Sequence, residues 1–144
     1  MRFTAEIEIN LPRDKVIELF SNPENLRYWQ YGFLSMEHLG GNRGEEGAKS
    51  LLRYRTEKDD VELVETVVKK DLPHKYYGIY EGEGLWNGVR NHFHKVNGSK
   101  TKWKSYQEYK FTGKMKITAI FAPKTFKKQA EKNMELFKLF AERA

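Results

Sequence analysis

Two alternating stretches, Trp86 to Val96 and Thr101 to Phe111, flank Asn97-Gly98-Ser99-Lys100, and this unit constrains the chain more than any other. Gly98-Ser99 suits a two-residue hairpin loop, which pairs Asn97 with Lys100 and thereby sets every pair beyond it. In that register one face carries Trp86, Gly88, Arg90, His92, His94 and Val96 against Thr101, Trp103, Ser105, Gln107, Tyr109 and Phe111. The other face carries Asn87, Val89, Asn91, Phe93 and Lys95 against Lys102, Lys104, Tyr106, Glu108 and Lys110. The second set is rich in lysine and belongs in water, so the first set is predicted to point inward. That inward set mixes Trp, Tyr and Phe with Arg, two His, Gln and Ser. Each such polar group buried without a partner costs about 1–3 kcal/mol, so the pattern suits a wet or ligand-filled cavity better than a solid core.

The remaining segments supply what the hairpin must pack against. Phe3, Ala5, Ile7 and Ile9 alternate with polar residues as in a half-buried strand. Leu11-Pro12-Arg13-Asp14 opens a helix with Val16, Ile17, Leu19 and Phe20 on its buried side, and Ser21-Asn22-Pro23-Glu24 starts a second short helix ending near Tyr28-Trp29. Strands are predicted over Phe33–Leu39, Gly47–Thr56, Val61–Lys70 and Tyr76–Glu81. The third of these segments leans apolar on one face through Val61, Leu63, Glu65 and Val67, and the second carries Ala48, Ser50, Leu52 and Tyr54 together. Gly40-Gly41 and Gly82-Glu83-Gly84 lack a phosphate-loop context and read as turns. Met115, Ala119 and Ile120 begin a helical pattern, and from Lys124 onward Phe126, Ala130, Met134, Phe137 and Ala141 recur at spacings of three or four, flanked by Leu136 and Phe140. This amphipathic helix needs a partner, and the sheet is the one large surface available to it.

Composition narrows the function classes. With 144 residues and no linker, repeat or low-complexity tract, residues 1–144 are expected to form one domain. Hydrophobic content is 39%, but 14% is aromatic, so a core can be built from a few large side chains. The absence of cysteine excludes disulfides, thiol catalysis and thiolate metal sites. The +6 formal charge comes from lysines scattered over outward faces with acids between them, which fits a solvated surface, and no nucleic-acid partner is expected. No apolar run is long enough for stable membrane insertion, and Met1–Glu6 lacks the hydrophobic region of a signal peptide. A cytoplasmic location is the expectation.

The order strand, two short helices, six strands and long C-terminal helix resembles that of the SRPBCC, or START-like, superfamily. The residues carrying the resemblance are Glu6 to Pro12 with Val16 and Phe20, Asn22 to Leu26 with Trp29, Gly44-Glu45-Glu46-Gly47-Ala48, and Gly98 to Trp103. The resemblance runs essentially end to end. It implies an α+β helix-grip fold, in which a curved seven-stranded antiparallel sheet grips the last helix with a cavity between them. Members of the superfamily bind lipids, sterols, polyketides or plant hormones. A minority are enzymes, including polyketide cyclases, and one branch activates a heat-shock chaperone ATPase.

Within that frame the expected function is binding of a small hydrophobic or amphipathic ligand, lipid-like or polyketide-like, between sheet and C-terminal helix. Trp29, Trp86, Trp103, Tyr109, Phe126, Met134 and Phe137 are expected to line its apolar part. Arg90, His92, Ser105, Gln107 and Tyr109 are expected to orient it. A buried arginine wants an anion, so Arg90 is expected to pair either with Glu65 or with an acidic group of the ligand. An enzymatic alternative gives His92 or His94, with Tyr109 nearby, the role of general acid or base. A chaperone-activator-like interaction module is a third reading, and it calls for a filled core and an exposed apolar patch. His92 and His94 are two residues apart on one strand face, but no third ligand converges on them by pattern, so no metal and no cofactor are expected.

Overall fold

The computed structural model describes residues 1–114 and 123–144, so the turn expected around Met115, Ala119 and Ile120 lies outside the described residues. Strand β1 (Arg2–Ile9) buries Ala5 and Ile9 and leaves the intervening charges in solvent. Helix α1 (Arg13–Ser21) follows Pro12, whose carbonyl accepts from the amides of Lys15 and Val16 at 3.1 Å each. Asn22 ends it, accepting from the Glu24 amide at 3.0 Å and starting a 3-10 turn (Pro23–Asn25) that runs into helix α2 (Leu26–Trp29). Strands β2 (Phe33–Gly40), β3 (Lys49–Arg55), β4 (Asp60–Asp71), β5 (Lys75–Gly82), β6 (Leu85–Asn97) and β7 (Lys100–Phe111) follow, and helix α3 (Pro123–Arg143) closes the chain.

The strands form one antiparallel seven-stranded sheet in the order β1-β7-β6-β5-β4-β3-β2. This is the architecture the sequence resemblance implies. Helix α3 lies against β1, anchored where Lys138 Nζ donates to the Glu8 carbonyl at 2.8 Å and Glu142 accepts from the amide and side chain of Asn10. Met134, Phe137 and Ala141 are the buried face of α3, as their spacing predicts. They join Ala5, Ile9, Val16, Leu19, Trp29, Phe93 and Trp103 in one cluster. The solid core therefore sits at the β1/β7 side and towards the C-terminal half of α3, with α1 and α2 closing it.

The β6–β7 hairpin departs from the expected register. Asn97 does pair with Lys100, and Asn97 Oδ1 holds the turn by accepting from Ser99 N at 2.8 Å and Ser99 Oγ at 3.1 Å. The next pair, however, is Lys95 with Thr101, because Val96 is an extra residue in the ladder and lies nearly half exposed. One unpaired residue moves every side chain of β6 beyond it to the opposite face. Val89, Asn91 and Phe93 therefore point inward with Asn87, while Trp86, Arg90, His92 and His94 belong to the outer face. Strand β7 keeps its expected orientation, with Thr101, Trp103 and Ser105 buried.

The physical reason lies in the partners each face can find. The inward amides are satisfied: Trp103 Nε1 donates to Asn91 Oδ1 at 2.9 Å, and Asn87 Nδ2 donates to the Glu108 carbonyl at 3.1 Å. Phe93 fills the core at 1% exposure. The expected register would bury a guanidinium and two imidazoles in their place, at a far larger desolvation cost. Arg90 instead lies exposed with its guanidinium carbon 4.7 Å from the centre of the Tyr77 ring, and the His92 and His94 rings stack 6.0 Å apart beside Tyr106.

Candidate functional site

The concave face of the sheet is ordered in rows. One row is apolar, running from Leu52 and Leu63 through Gly82 and Leu85 to Phe111. The next is polar and crosses five strands, because Ser50 pairs with Glu65, Glu65 with Tyr80, Tyr80 with Asn87 and Asn87 with Tyr109. A third row brings Val67, Gly78, Val89 and Gln107 side by side. Directly opposed residues of neighbouring strands stand roughly 4.5–5.5 Å apart at Cβ, so Ser50, Glu65 and Tyr80 are immediate neighbours. Gly78 leaves room for the Tyr80 ring, which a Cβ there would approach to 3.3 Å.

Between these rows and α3 lies a cavity of about 770 Å³. Its floor is Ser50, Tyr54, Glu65, Tyr76, Tyr80, Asn87 and Val89, and Ser105, Gln107 and Tyr109 continue it across β7. Phe126, Ala130 and Met134 of α3 form the roof, and Trp29 and Gln30 form one end. Leu34, Met36 and Arg43 stand at its exposed rim. The volume falls within the roughly 300–1,000 Å³ range of small-molecule sites.

The polar groups of β7 satisfy one another in a chain, with Tyr109 Oη donating to Gln107 Oε1 at 3.2 Å and Gln107 Nε2 donating to Ser105 Oγ at 3.1 Å. Tyr54 donates to Gln30 Oε1 across the mouth of the cavity. Glu65 is different. Burial raises its carboxyl above the ordinary carboxylate range, and a hydrogen bond from Tyr80 offsets only part of that rise. The same burial, with the Glu65 charge adding to it, pushes the Tyr54, Tyr76 and Tyr80 hydroxyls well above the usual phenol value. Among the described residues no lysine, arginine or histidine forms an ion pair with Glu65. Among the described residues one buried side-chain donor lacks a hydrogen-bond partner: Trp29, 5% exposed, borders the cavity with its Nε1 unbonded.

Seven of the residues expected at the site border the cavity: Trp29, Trp103, Ser105, Gln107, Tyr109, Phe126 and Met134. Phe137 stands behind it in the solid core, completely buried. Trp86, Arg90 and His92 lie on the other side of the sheet, so Arg90, expected to pair with Glu65 or with a ligand's acid, faces neither Glu65 nor the cavity. Trp86 there lies under the Lys110 ammonium, 4.7 Å away. The His92 imidazole is held below its usual value by burial first and then by His94, Lys75, Arg90 and Lys104 around it. Sequence reasoning placed Ser50, Tyr54 and Glu65 on inward faces but missed Tyr76, Tyr80, Asn87 and Asn91. The spacing Tyr76-x-Gly78-x-Tyr80, two rings flanking a glycine on one strand face, is the pattern that marks them.

No family model and no curated protein matches this chain. Solved structures do. A conserved protein from Geobacillus kaustophilus superposes with a TM-score of 0.84 at 14% identity, over 99% of this chain and 96% of that one. Ara h 8.0201 gives 0.75 at 12% identity, over 100% and 99%. The Zhui aromatase/cyclase from Streptomyces sp. R1128 gives 0.80 at 8% identity, over 99% and 94%. This is the helix-grip fold. At such identities the likeness is one of fold, and within the helix-grip fold the residues on the cavity wall are this chain's own. No helix among the described residues is long and apolar enough to cross a membrane.

Proposed function

We propose that the protein binds a small amphipathic molecule in the cavity between the sheet and α3. The observation that carries this reading is the Ser50–Glu65–Tyr80–Asn87–Tyr109 row laid across the floor of a 770 Å³ space. A protein gains nothing in stability from lining an open volume with a carboxylate, two amides and several phenols. Such a lining does orient a ligand, while Trp29, Trp103, Phe126 and Met134 cover its apolar body. Ser105, Gln107 and Tyr109 keep the orienting role the sequence suggests, and the Glu65 row takes over the role once given to Arg90 and His92. A catalytic reading built on His92 and His94 loses its residues to the outer face. The filled core that an interaction module calls for is not what the sheet and α3 enclose.

Trp29 and Trp103 both border the cavity, so ligand entry is expected to change tryptophan emission. Titration with lipids, sterols, aromatic acids and polyketides, read by emission and thermal shift, tests the proposal. Saturable quenching with a matching rise in melting temperature supports it. No response across the whole panel, nor to aromatic amines, overturns it.

A further inference from the structure

Glu65 has no counter-ion of its own, and the chemistry around it says what would complete it. The carboxyl is opposed by Ser50 on β3 and Tyr80 on β5, and Tyr54 and Tyr76 are close enough for its charge to act on both. The basic side chains on the cavity wall stand elsewhere and are engaged elsewhere. Arg27 faces Glu24 at 3.9 Å, Lys70 faces Glu45 at 3.7 Å, and His38 bonds the Gly41 carbonyl at 2.9 Å. Arg43 is exposed at the rim. From the roof, α3 presents the uncharged Phe126, Gln129, Ala130, Asn133 and Met134, and α2 with its following residue presents Leu26, Trp29 and Gln30 besides the Glu24-paired Arg27. A half-buried carboxyl hydrogen-bonded by Tyr80, with the Tyr54 and Tyr76 phenols within reach of its charge and no cation beside it among the described residues, is an incomplete ion pair that attracts an ammonium group.

From this geometry we infer that the ligand of the cavity is an amine, its protonated nitrogen held by Glu65 between Tyr54, Tyr76 and Tyr80 and its apolar body running towards Phe126 and Met134. This rests on the ligand-cavity reading and adds the ligand's chemical class. Burial raises the Glu65 carboxyl and a neighbouring ammonium lowers it again, so amine binding is linked to proton loss: for the fraction protonated at the assay pH, R–NH3⁺ plus Glu65–COOH becomes R–NH3⁺···⁻OOC–Glu65 and H⁺ leaves to solvent. A neutral isostere makes the same apolar contacts and releases no proton.

The test is calorimetric titration of the intact protein with 2-(naphthalen-2-yl)ethylamine and with the alcohol of the same shape, in buffers of different ionisation enthalpy. The amine is expected to bind about tenfold tighter or more, the worth of one hydrogen bond between charged groups. It is also expected to release protons, a readout the wild-type protein gives without any variant. In Glu65→Gln, checked for folding by circular dichroism, the preference is expected to fall to about twofold or less and proton release to stop. Equal binding of amine and alcohol by the wild type, with no proton release, overturns the amine inference and leaves the cavity reading standing. Absence of binding by both compounds, together with silence across the wider panel, overturns both.

Discussion

A phenylalanine placed at Ala130 distinguishes an open cavity from a merely loose core. Ala130 is half-buried on α3, four residues before the buried Met134, and borders the cavity. In a close-packed interior, enlarging such a residue forces neighbours off their rotamers and costs about 1–3 kcal/mol. Above a 770 Å³ space the added ring instead finds room next to Phe126 and Tyr109, whose own rings are 4.9 Å apart. Burying a phenylalanine side chain is worth about 1.5–3 kcal/mol, and exchanging alanine for an aromatic residue in a helix costs about 0.5 kcal/mol. Ala130→Phe is therefore expected to stabilise the protein by about 1–2 kcal/mol, after some loss of rotamer freedom. Urea unfolding reads this as a higher midpoint with an unchanged m-value. The same variant should bind large apolar probes more weakly, because its ring takes their space. A loss of 1 kcal/mol or more would mean that side chains already fill the volume, and would refute the cavity reasoning.

Other perturbations test separate parts of the structure. Because burial raises the Glu65 carboxyl from its ordinary 4.5, the native state holds a proton that the unfolded chain releases, so this group's stabilising share is complete below that value and is lost as pH rises through the native value. Glu65→Gln escapes that loss and should gain on the wild type as pH increases; urea midpoints from about pH 4 to about pH 8 should diverge, and parallel curves would sink the assignment. Trp103→Phe strands Asn91 Oδ1 in a buried site and is expected to cost about 1–3 kcal/mol, part of it recovered in Trp103→Phe/Asn91→Leu; a double variant no better than the single one refutes the role of that bond. Deleting Val96 removes the extra residue and leaves a regular two-residue hairpin with every inward side chain in place, so thermal melts should show a change of about 1 kcal/mol or less. Deleting His92 displaces part of β6 to the wrong face and should unfold the protein, and equal tolerance of the two deletions would contradict the register argument.

Most of the architecture was legible in the sequence because each element carries its own periodicity. The alternation in Arg2–Ile9, the Asn22-Pro23 restart and the stripe from Phe126 to Ala141 are local patterns, and the structure reproduces them. Strand β7 was legible for the same reason, since lysine and glutamate mark one face and Trp103, Ser105 and Tyr109 the other. Strand β6 was misassigned because its register was carried over from the turn instead of being read from its own residues. Taken alone, Asn87, Val89, Asn91 and Phe93 are the easier face to bury, since amides can be satisfied internally whereas Arg90, His92 and His94 bring charge. Turn chemistry and strand chemistry disagreed by one residue, and a disagreement of one residue in a hairpin is how a bulge shows itself in sequence. The Glu65 row was harder to see. It is assembled from β3, β4, β5, β6 and β7, so its members meet only through a register that no single strand encodes.

The stripe on α3 shows where sequence pattern stops and geometry begins. Phe126, Ala130, Met134, Phe137 and Ala141 form one apolar face, yet Phe137 and Ala141 have no exposed surface while Phe126 and Ala130 keep some, facing the cavity. Hydrophobic periodicity reports which side of a helix avoids water, and cannot report whether the opposite surface touches it. The sheet makes that difference. Beneath the C-terminal half of α3 lie Phe93 and Trp103, large rings that close the gap, and α1 and α2 complete the seal. Beneath the N-terminal half the floor carries Ser50 and Val89, smaller residues that leave the gap open around Glu65. Packing is thus concentrated at one end of the helix and open space at the other. Truncating Phe137 should cost the several kcal/mol of a core aromatic, whereas truncating Phe126 enlarges a space that is already there. Residues at the open end border space instead of packed neighbours, so changing them taxes the fold less than changing Phe137 or Ala141.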